Sequence, residues 1–259
     1  MPATVPGAFD LTGQAALVTG SSSELGIGFA SARLLGQLGA SVMVTGTTDR
    51  VVERADELQR EGIAAASHIA DLFDPEAARG LVEATEAAFG KLDILVNNAG
   101  LASVHSPEQP NPLIAMTDDE WSLALRRNLD SAFYVTRAAL PGMVERGHGR
   151  IVNVASTAGI LTAYTGDVGY HTAKAAMLGM TRSVAVDYAA TGITCNVVLP
   201  GWIATAAQLP SEVAQGNATP VGRSATAAEV ATGIAFLAAP GASYVTGTTL
   251  VIDGGNAID

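Results

Sequence analysis

The sequence predicts an α/β protein with one doubly wound sheet of seven parallel strands and helices on both faces. Short runs that are nearly continuous in Val, Ile, Leu and Ala alternate with longer helical patterns along the 259 residues. Continuous apolar runs are typical of strands buried on both faces, and their alternation with helices is typical of a parallel sheet. Because no linker, repeat or low-complexity tract interrupts the alternation, we expect a single domain over residues 1–259.

Seven strands and six helical segments are expected in chain order. The apolar runs predict strands at Ala15–Thr19, Ser41–Thr45, Ala64–Ile69, Leu92–Asn97, Arg150–Ala155, Ile193–Leu199 and Thr248–Ile252. The intervening patterns predict helices near 27–38, 49–61, 75–89, 118–146, 165–190 and 226–239.

Two stretches fit neither pattern, at about 101–116 and 202–219. The first contains three prolines and the second is small and polar. Both follow strands at their C-terminal ends, where open α/β sheets bind ligands. We expect them to be loops over the site, the second as a mobile lid, although ordinary surface connections would look similar. A partly apolar pocket is expected from Ile160, Leu161, Tyr164, Trp202 and Leu209.

Composition excludes several classes of function. The net charge of −11 and the pI near 4.7 disfavour binding to nucleic acid or to an anionic membrane. One cysteine, Cys195, excludes an intrachain disulfide framework, and its apolar surroundings indicate a packed strand residue. Residues 1–14 show no secretory signal, and no run of about 18 apolar residues suggests a membrane span, so we expect a cytoplasmic protein. The four histidines share no metal-ligand spacing, so no metal site is expected.

A glycine-rich turn lies between the first strand and the first helix, at residues 19–28. Glycines let the backbone approach a pyrophosphate, and the N-terminus of the following helix offers unpaired N–H groups. The turn therefore predicts a dinucleotide site, although a glycine-rich turn without a ligand is the simpler alternative. The candidate contacts are Gly20, Ser22, Ser23, Ile27 and Gly28.

The end of the second strand favours NADP(H) over NAD(H). NAD sites usually place an acidic residue there to bind the ribose 2′-hydroxyl, and this chain has Gly46. Thr47, Thr48 and Arg50 follow, and arginine can pair with a 2′-phosphate. Asp49 would oppose a phosphate, but we expect it to cap the next helix.

Tyr170 and Lys174 are four residues apart in a predicted helix and therefore share one face. An ammonium beside a phenol favours the phenolate, so it lowers a pKa that is ordinarily near ~10. With two lysines and five tyrosines in the chain, about 0.04 such pairs are expected by chance. The pair indicates an acid or base near neutral pH, and the alternative is a solvated lysine one turn after a packed tyrosine.

Several further blocks occur in a fixed order with these two motifs. They are Asp71-Leu72, Asn97 to Gly100, Asn128, Gly149 to Ser156, Asn196 to Gly201 with Thr205, Thr246-Gly247 and Val251 to Gly255. Together the blocks resemble the short-chain dehydrogenase/reductase family, from about Leu11 to Gly255. The resemblance implies a Rossmann-type fold and hydride transfer between NADP(H) and a ketone or secondary alcohol.

The resemblance also implies a role for each matching residue. Tyr170 would protonate the developing alkoxide, or act as base in the reverse direction. Lys174 would lower the tyrosine pKa and hold the nicotinamide ribose. Ser156 would hydrogen-bond the substrate oxygen, and Asn128 would fix a water that links Lys174 to a proton relay. The implied cofactor contacts are Asp71, Leu72, Asn98, Ala99, Gly100, Tyr170, Lys174, Pro200, Gly201, Ile203 and Thr205.

Two departures from the family pattern bear on ligand choice. The glycine turn is two residues longer than usual, so which of its serines binds phosphate stays open. Tyr134 and Val186 stand where reductases acting on acyl carrier protein place docking arginines. A free small ketone or alcohol is therefore favoured as substrate. The alternatives are a 3-oxoacyl thioester, an NAD-dependent reaction on a sugar, polyol or steroid alcohol, or a non-catalytic dinucleotide sensor.

Relatives are often tetramers that pair through two long helices and the C-terminal strand. The resemblance therefore implies a homotetramer or a homodimer. Helices 118–146 and 165–190 offer extra apolar positions that would suit such pairing or the core, at Ala132, Phe133, Val184 and Tyr188.

Overall fold

The structure, a computed structural model, describes residues 6–100, 111–206 and 208–259. Its centre is a parallel sheet of seven strands in the order β3-β2-β1-β4-β5-β6-β9, which confirms the predicted fold class. These strands are β1 Ala15–Val18, β2 Ser41–Gly46, β3 Ala65–Ile69, β4 Ile94–Asn97, β5 Gly149–Val154, β6 Ile193–Pro200 and β9 Thr249–Ile252. A separate two-stranded pair consists of β7 Ile203–Ala204 and β8 Ala225–Thr226.

Helices cover both faces of the sheet. They are α1 Ile27–Gln37, α2 Arg50–Arg60, α3 Pro75–Phe89, α4 Asp118–Leu125, α5 Ser131–Arg146, α6 Val168–Tyr188, α7 Pro210–Asn217 and α8 Ala227–Ala238. Helix α1 packs beside α8 on one face, and α3 packs beside α5 on the other. None of the helices in the described ranges is both long and apolar enough to cross a membrane.

The strands are apolar on both sides because each side faces its own core. Ala16 and Val18 of β1 enter the core under α1, α2 and α8, whereas Leu17 between them enters the core under α3 and α5. Successive side chains of a strand point to opposite faces, so an amphipathic alternation would leave one of these cores unfilled.

The strand order places a crevice above β1 and β4. The chain runs outward from β1 to β3 and then returns to β4 on the other side of β1. At such a switch point the connections leave the strand ends in opposite directions, which opens a cleft for a ligand. The glycine turn follows β1 and residues 98–100 follow β4, so both line this cleft.

The predicted helix over 118–146 is wrong in one respect, because a π-helical turn at Arg126–Asp130 separates α4 from α5. The N–H of Ser131 donates to the carbonyl of Arg126, five residues back. The turn contains neither glycine nor proline, so its sequence has no helix-breaking signal that would predict the extra residue. The structure also begins α6 at Val168, three residues later than predicted.

The stretch 202–219 is also more regular than predicted, since it contains β7 and the whole of α7. Pro210 is the first residue of α7, a position where proline needs no N–H partner and is favoured. A proline inside a stretch that is predicted to be a loop therefore starts a helix. In the first stretch, residues 101–110 lie outside the described residues, and Leu113–Ala115 form a short 3₁₀ helix.

Candidate functional site

Thr19 joins the glycine turn to the strand end on the other side of the cleft. Its hydroxyl accepts hydrogen bonds from the backbone N–H groups of Asn98 and Ala99, each at 2.9 Å. In return, the Asn98 side-chain amide donates to the carbonyls of Thr19 (2.9 Å) and Gly20 (3.0 Å). The predicted cofactor residues of the two segments thus belong to one hydrogen-bonded unit. Thr19 is not among the predicted cofactor residues, although a hydroxyl between a buried strand and a glycine is a signal that could identify it.

The first and last glycines of the turn are required by close packing. A Cβ on Gly20 would lie 2.8 Å from the Cα of Ala99, and one on Gly28 would lie 2.5 Å from the Gly20 carbonyl oxygen. Gly20 also has a φ of +68°, a conformation that glycine adopts without strain. Gly26, immediately before α1, supplies no side-chain cap, so the first N–H groups of the helix have no capping side chain. These features fit a dinucleotide pyrophosphate at the helix start.

Ser22 occupies the space where an acidic residue would begin at the end of β2. A Cβ on Gly46 would lie 1.9 Å from the hydroxyl oxygen of Ser22. The guanidinium of Arg50 reaches the same loop, 3.5 Å from the Ser22 carbonyl. Thr47 is exposed and Thr48 is half-buried on the intervening turn. Hydroxyl and guanidinium donors therefore collect at the position expected for the 2′-substituent of the adenosine ribose.

Other residues of the nucleotide end differ in how accessible they are. Asp71 is exposed, but its carboxylate already accepts from the backbone N–H of Phe73 at 3.0 Å. Leu72 is mostly buried in the core beneath α3, so little of its side chain faces a ligand. Asp49 directly precedes α2, but its side chain accepts no capping hydrogen bond. Asp49 therefore occupies the predicted N-cap position of α2 without the side-chain hydrogen bond that usually accompanies it.

Tyr170 and Lys174 lie on one face of α6, and both are buried. The Lys174 ammonium is 5.6 Å from the centroid of the Tyr170 ring and donates to the carbonyl of Val154 at 3.0 Å. That carbonyl belongs to the last residue of β5, so the hydrogen bond fixes the helix against the C-terminal edge of the sheet. The alternative of a solvated lysine is thereby excluded.

Asn128 and Gly100 lie close to the same ammonium. The point where a Gly100 Cβ would lie is 2.8 Å from the Asn128 side-chain oxygen and 3.2 Å from the Lys174 nitrogen. Asn128 is fully buried in the π turn, and its amide nitrogen donates to the carbonyl of Ala124 at 3.2 Å. This hydrogen bond leaves the side-chain oxygen directed at the position between Gly100 and Lys174.

Ser156 lies two residues beyond β5, on the segment that leads to α6. Its hydroxyl oxygen accepts from the N–H of Ala158 at 3.1 Å, which leaves the hydroxyl proton free to serve another acceptor. The Thr157 N–H donates to the carbonyl of Pro200, so the ends of β5 and β6 are joined beside the site. Ser156 is half-buried and open to a small ligand.

The residues after β6 form the last part of the cleft. The N–H of Gly201 donates to the carbonyl of Ile252 at 3.0 Å, and the N–H of Thr205 donates to that of Ile203 at 2.9 Å. A Cβ on Gly201 would lie 2.8 Å from the Cβ of Asp253, so this position also requires glycine. Pro200 is buried, whereas Ile203 and Thr205 are half-exposed at the edge of the cleft.

Two sequence-based interpretations concern other chemistry. Cys195 lies inside β6 and is 1% exposed, and burial raises the pKa of its thiol to about 12. A thiol of that kind is a packing residue and not a nucleophile.

Across residues 6–100, 111–206 and 208–259, no three His, Cys, Asp or Glu side chains are grouped so that they could hold a metal ion.

Comparison with known proteins gives consistent matches over nearly the whole chain. Residues 20–257 match the family described as enoyl-(acyl carrier protein) reductase. The 3-oxoacyl-(acyl-carrier-protein) reductase FabG of Vibrio cholerae is 39% identical over 251 residues, which cover 95% of this chain and 98% of that protein. Oxidoreductase UcpA of Escherichia coli is 35% identical over 261 residues, 96% of each chain.

Solved structures give the same result. The crystal structure of a dehydrogenase/reductase from Sinorhizobium meliloti superposes with a TM-score of 0.87 at 33% identity, and the match covers 96% of this chain and 97% of that one. With the sheet order, the glycine turn and these matches, the chain belongs to the short-chain dehydrogenase/reductase family of oxidoreductases.

Proposed function

We propose that this oxidoreductase interconverts a free ketone and its secondary alcohol with NADP(H), and that the whole chain acts as one dinucleotide-binding domain. The observation that carries the proposal is the buried Tyr170–Lys174 pair, held against the end of β5 and facing Asn128. Burying an ammonium and a phenol is unfavourable unless they are paired, so their presence at the ligand edge of the sheet favours a chemical role.

In this proposal Tyr170 moves the proton. Its hydroxyl donates a proton to the carbonyl oxygen during reduction, and its phenolate accepts one from the alcohol during oxidation. Lys174 favours the phenolate by its positive charge, and the Val154 carbonyl holds it in place. The free hydroxyl proton of Ser156 binds the substrate oxygen where negative charge develops. Asn128 orients the ammonium or a water beside it through its side-chain oxygen.

When bound, the nicotinamide supplies or accepts the hydride. The residues that would hold the dinucleotide are those of the glycine turn, the strand end at 98–100 and the segment after β6. Each of these segments is fixed by hydrogen bonds to a neighbouring strand end, so the cleft is largely formed before the ligand arrives.

The preference for NADP(H) rests on Arg50, Ser22 and Gly46. An acidic residue at position 46 would require the Ser22 hydroxyl to move, because its Cβ would lie 1.9 Å from that oxygen. In the described part of the chain no carboxylate pairs with Arg50, whereas Arg54 in the next turn of α2 pairs with Glu57. A guanidinium without a carboxylate partner and a nearby hydroxyl suit a phosphate dianion.

Substitution of Arg50 tests this preference. The Arg50→Ala variant should lose about ten- to a hundredfold in kcat/KM for NADPH, the value of a hydrogen bond to a charged group, and little for NADH. Arg60→Ala is the matched control, because Arg60 lies at the other end of α2 and its exposed side chain donates to the helix backbone at Asp56. Equal losses with NADPH and NADH, or a strong preference of the wild type for NADH, would contradict the proposal.

A 3-oxoacyl thioester is the second candidate substrate, because FabG of Vibrio cholerae is 39% identical to this chain. The surface argues against docking of an acidic carrier. Val186 is 81% exposed and uncharged, and Tyr134 packs against the core. Comparing kcat/KM for a 3-oxoacyl group on acyl carrier protein, the same group on coenzyme A and simple ketones distinguishes the two candidates.

A homotetramer or homodimer is the proposed assembly, and the cytoplasm, which supplies NADPH, is the proposed location. Ala132 is buried and Val184 and Tyr188 pack against the core, so only Phe133 of the four predicted positions is exposed. Exposed apolar side chains elsewhere on α5, α6 and α8 support association, at Val144, Val186 and Phe236. Light scattering on the purified protein measures the mass directly, and a monomer at all concentrations would refute the assembly.

The reaction is tested with purified protein, NADPH and a panel of ketones, followed by nicotinamide absorbance. Tyr170→Phe should lower kcat/KM by about a hundred- to ten-thousandfold, the usual contribution of a positioned acid. Tyr188→Phe, in the same helix and packed against the core, should leave it unchanged. Calorimetric binding of NADPH without turnover of any ketone would favour a dinucleotide sensor, and activity with sugars or polyols and NAD⁺ would favour the dehydrogenase alternative.

A further inference from the structure

A row of rings leads outward from the candidate acid. The Tyr170 and His171 ring centroids are 6.2 Å apart, and His171 is 4.5 Å from Tyr164 in an edge-to-face arrangement of 77°. Tyr164 in turn lies 6.5 Å from Trp202, with the two ring planes inclined at 36°. The row therefore joins the segment between Ser156 and Tyr170 to the segment that follows β6.

Tyr164 is held in this position by several contacts. Its hydroxyl donates to the carboxylate of Asp167 at 3.2 Å, and its ring packs on His171. Burial raises the pKa of Asp167, and the hydroxyl of Tyr164 opposes that rise. Two such anchors fix the ring before a ligand arrives, which removes much of the entropic cost of ordering it.

The loop that carries Tyr164 is itself fixed close to α6. Gly159 has a φ of +81°, and a Cβ there would lie 2.3 Å from the carbonyl oxygen of His171. The carbonyl of Thr157 accepts hydrogen bonds from the N–H groups of Leu161 (2.8 Å) and Thr162 (3.0 Å). The loop is therefore a tight turn built against the helix that carries Tyr170.

The outer half of the row is partly exposed to solvent. Tyr164 is 45% exposed, and the neighbouring Leu161 is 49% exposed. Leu209, which follows β7, is 59% exposed. The row thus presents partly exposed aromatic surface that begins at the ring of Tyr170, the acid that the proposed reaction requires.

We infer that Tyr164 and Trp202 form an aromatic wall of the substrate site, and that this wall selects ketones carrying an aromatic ring next to the carbonyl carbon. This inference rests on the proposed reaction. Aromatic pairs with centroids 4.5–7 Å apart gain attraction beyond that of their buried area, because the positive edge of one ring meets the negative face of another. A saturated ring of the same size gains only the free energy of burying its apolar surface. The wall therefore separates aryl ketones from alicyclic ones.

The test compares acetophenone with cyclohexyl methyl ketone, which has the same carbon skeleton without the aromatic ring. With NADPH, the wild type should prefer acetophenone in kcat/KM. Tyr164→Leu and Trp202→Leu keep apolar bulk but remove a ring, so each should reduce that preference about three- to tenfold. Tyr244→Leu is the control, because that side chain is fully exposed in the segment between α8 and β9. An unchanged preference in both wall variants would overturn the inference.

Binding provides a readout that does not depend on turnover. The chain has two tryptophans, so Trp121→Phe leaves Trp202 as the only indole. Acetophenone bound to the NADP⁺ complex of this variant should quench the fluorescence of Trp202, and adding Tyr164→Leu should raise the dissociation constant about three- to tenfold. Absence of quenching at concentrations that saturate catalysis would overturn the inference.

The two proposals fail in different ways. Reduction of ketones without any aryl preference refutes the aromatic wall and leaves the proposed reaction intact. Quenching that depends on Tyr164, together with no reduction of any ketone, refutes the reaction and supports the wall as an aryl-binding surface.

Discussion

Replacing Thr19 by valine should weaken both the fold and the cofactor cleft, because it removes one hydroxyl that joins two loops. Valine has nearly the same shape, so the change leaves packing almost intact at a position that is 1% exposed. The two backbone donors of Asn98 and Ala99, each 2.9 Å from the hydroxyl, lose their acceptor.

The substitution affects the two N–H groups to different degrees. The N–H of Asn98 also faces the carbonyl of Val96 at 3.1 Å, so it keeps a partner. The N–H of Ala99 has no second acceptor among the described residues, and an unsatisfied buried donor costs about 1–3 kcal/mol. Both groups are only partly buried, so we expect a decrease of about 2 kcal/mol in the free energy of unfolding.

Urea denaturation followed by circular dichroism measures this decrease, and Thr19→Ser is the matched control. Serine keeps the acceptor and loses one methyl group, so it should cost about 1 kcal/mol or less. The dissociation constant for NADPH, measured by calorimetry, should rise for valine and stay near the wild-type value for serine. Equal stability of the valine and serine variants would refute a stabilising role of the hydroxyl as acceptor. Unchanged NADPH binding by the Thr19→Val variant would show that Thr19 affects stability alone.

Three further predictions address other parts of the chain. Gly28→Ala places a Cβ 2.5 Å from the Gly20 carbonyl oxygen, so the turn must shift and the dissociation constant for NADPH in calorimetry should rise about tenfold or more; an unchanged constant would contradict the close packing. The Arg223 side chain, together with hydrogen bonds from Thr226, lowers the pKa of Glu229 from 4.5 to about 2, so Glu229 stabilises the fold above pH 4.5 and loses this effect as the pH falls towards 2. The melting temperature of Glu229→Gln should therefore be lower than that of the wild type at pH 7, with a smaller difference at pH 3, and a difference independent of pH would refute the pairing. The thiol of Cys195, whose pKa burial raises to about 12, should not react with a disulfide reagent at pH 8 until the protein is unfolded in urea; rapid reaction of the native protein would contradict its burial.

The sheet could be predicted from the sequence because its strands are buried on both faces. Runs such as Ile94 to Asn97 and Ile193 to Pro200 are apolar without interruption, and few other structures produce that pattern. The positions of Tyr170 and Lys174 followed from helical spacing, which is local information. Local information of this kind is sufficient for the order of elements and for residues one turn apart.

The remaining features depend on contacts between distant segments. The hydrogen bonds of Thr19 cross from the end of β1 to residues 98 and 99, and the contact of Ser22 with Gly46 crosses from one loop to another. Neither contact has a signature in local composition. Helix α7 was not predicted because proline is common both in loops and at the first position of a helix, where Pro210 lies.

The π turn before α5 changes the rotational register between α4 and α5, which pack against different helices. Helix α4 packs on α6, whereas α5 packs on α3, and one residue corresponds to about 100° of helical rotation. Without the inserted residue, a continuous α-helix would have to rotate either the Asn128 amide away from Lys174 or the buried row of α5 away from the core. The turn therefore lets α4 and α5 keep different packing partners while Asn128 stays near Lys174, and we expect an insertion or deletion at Arg126–Asp130 to disturb one of these arrangements.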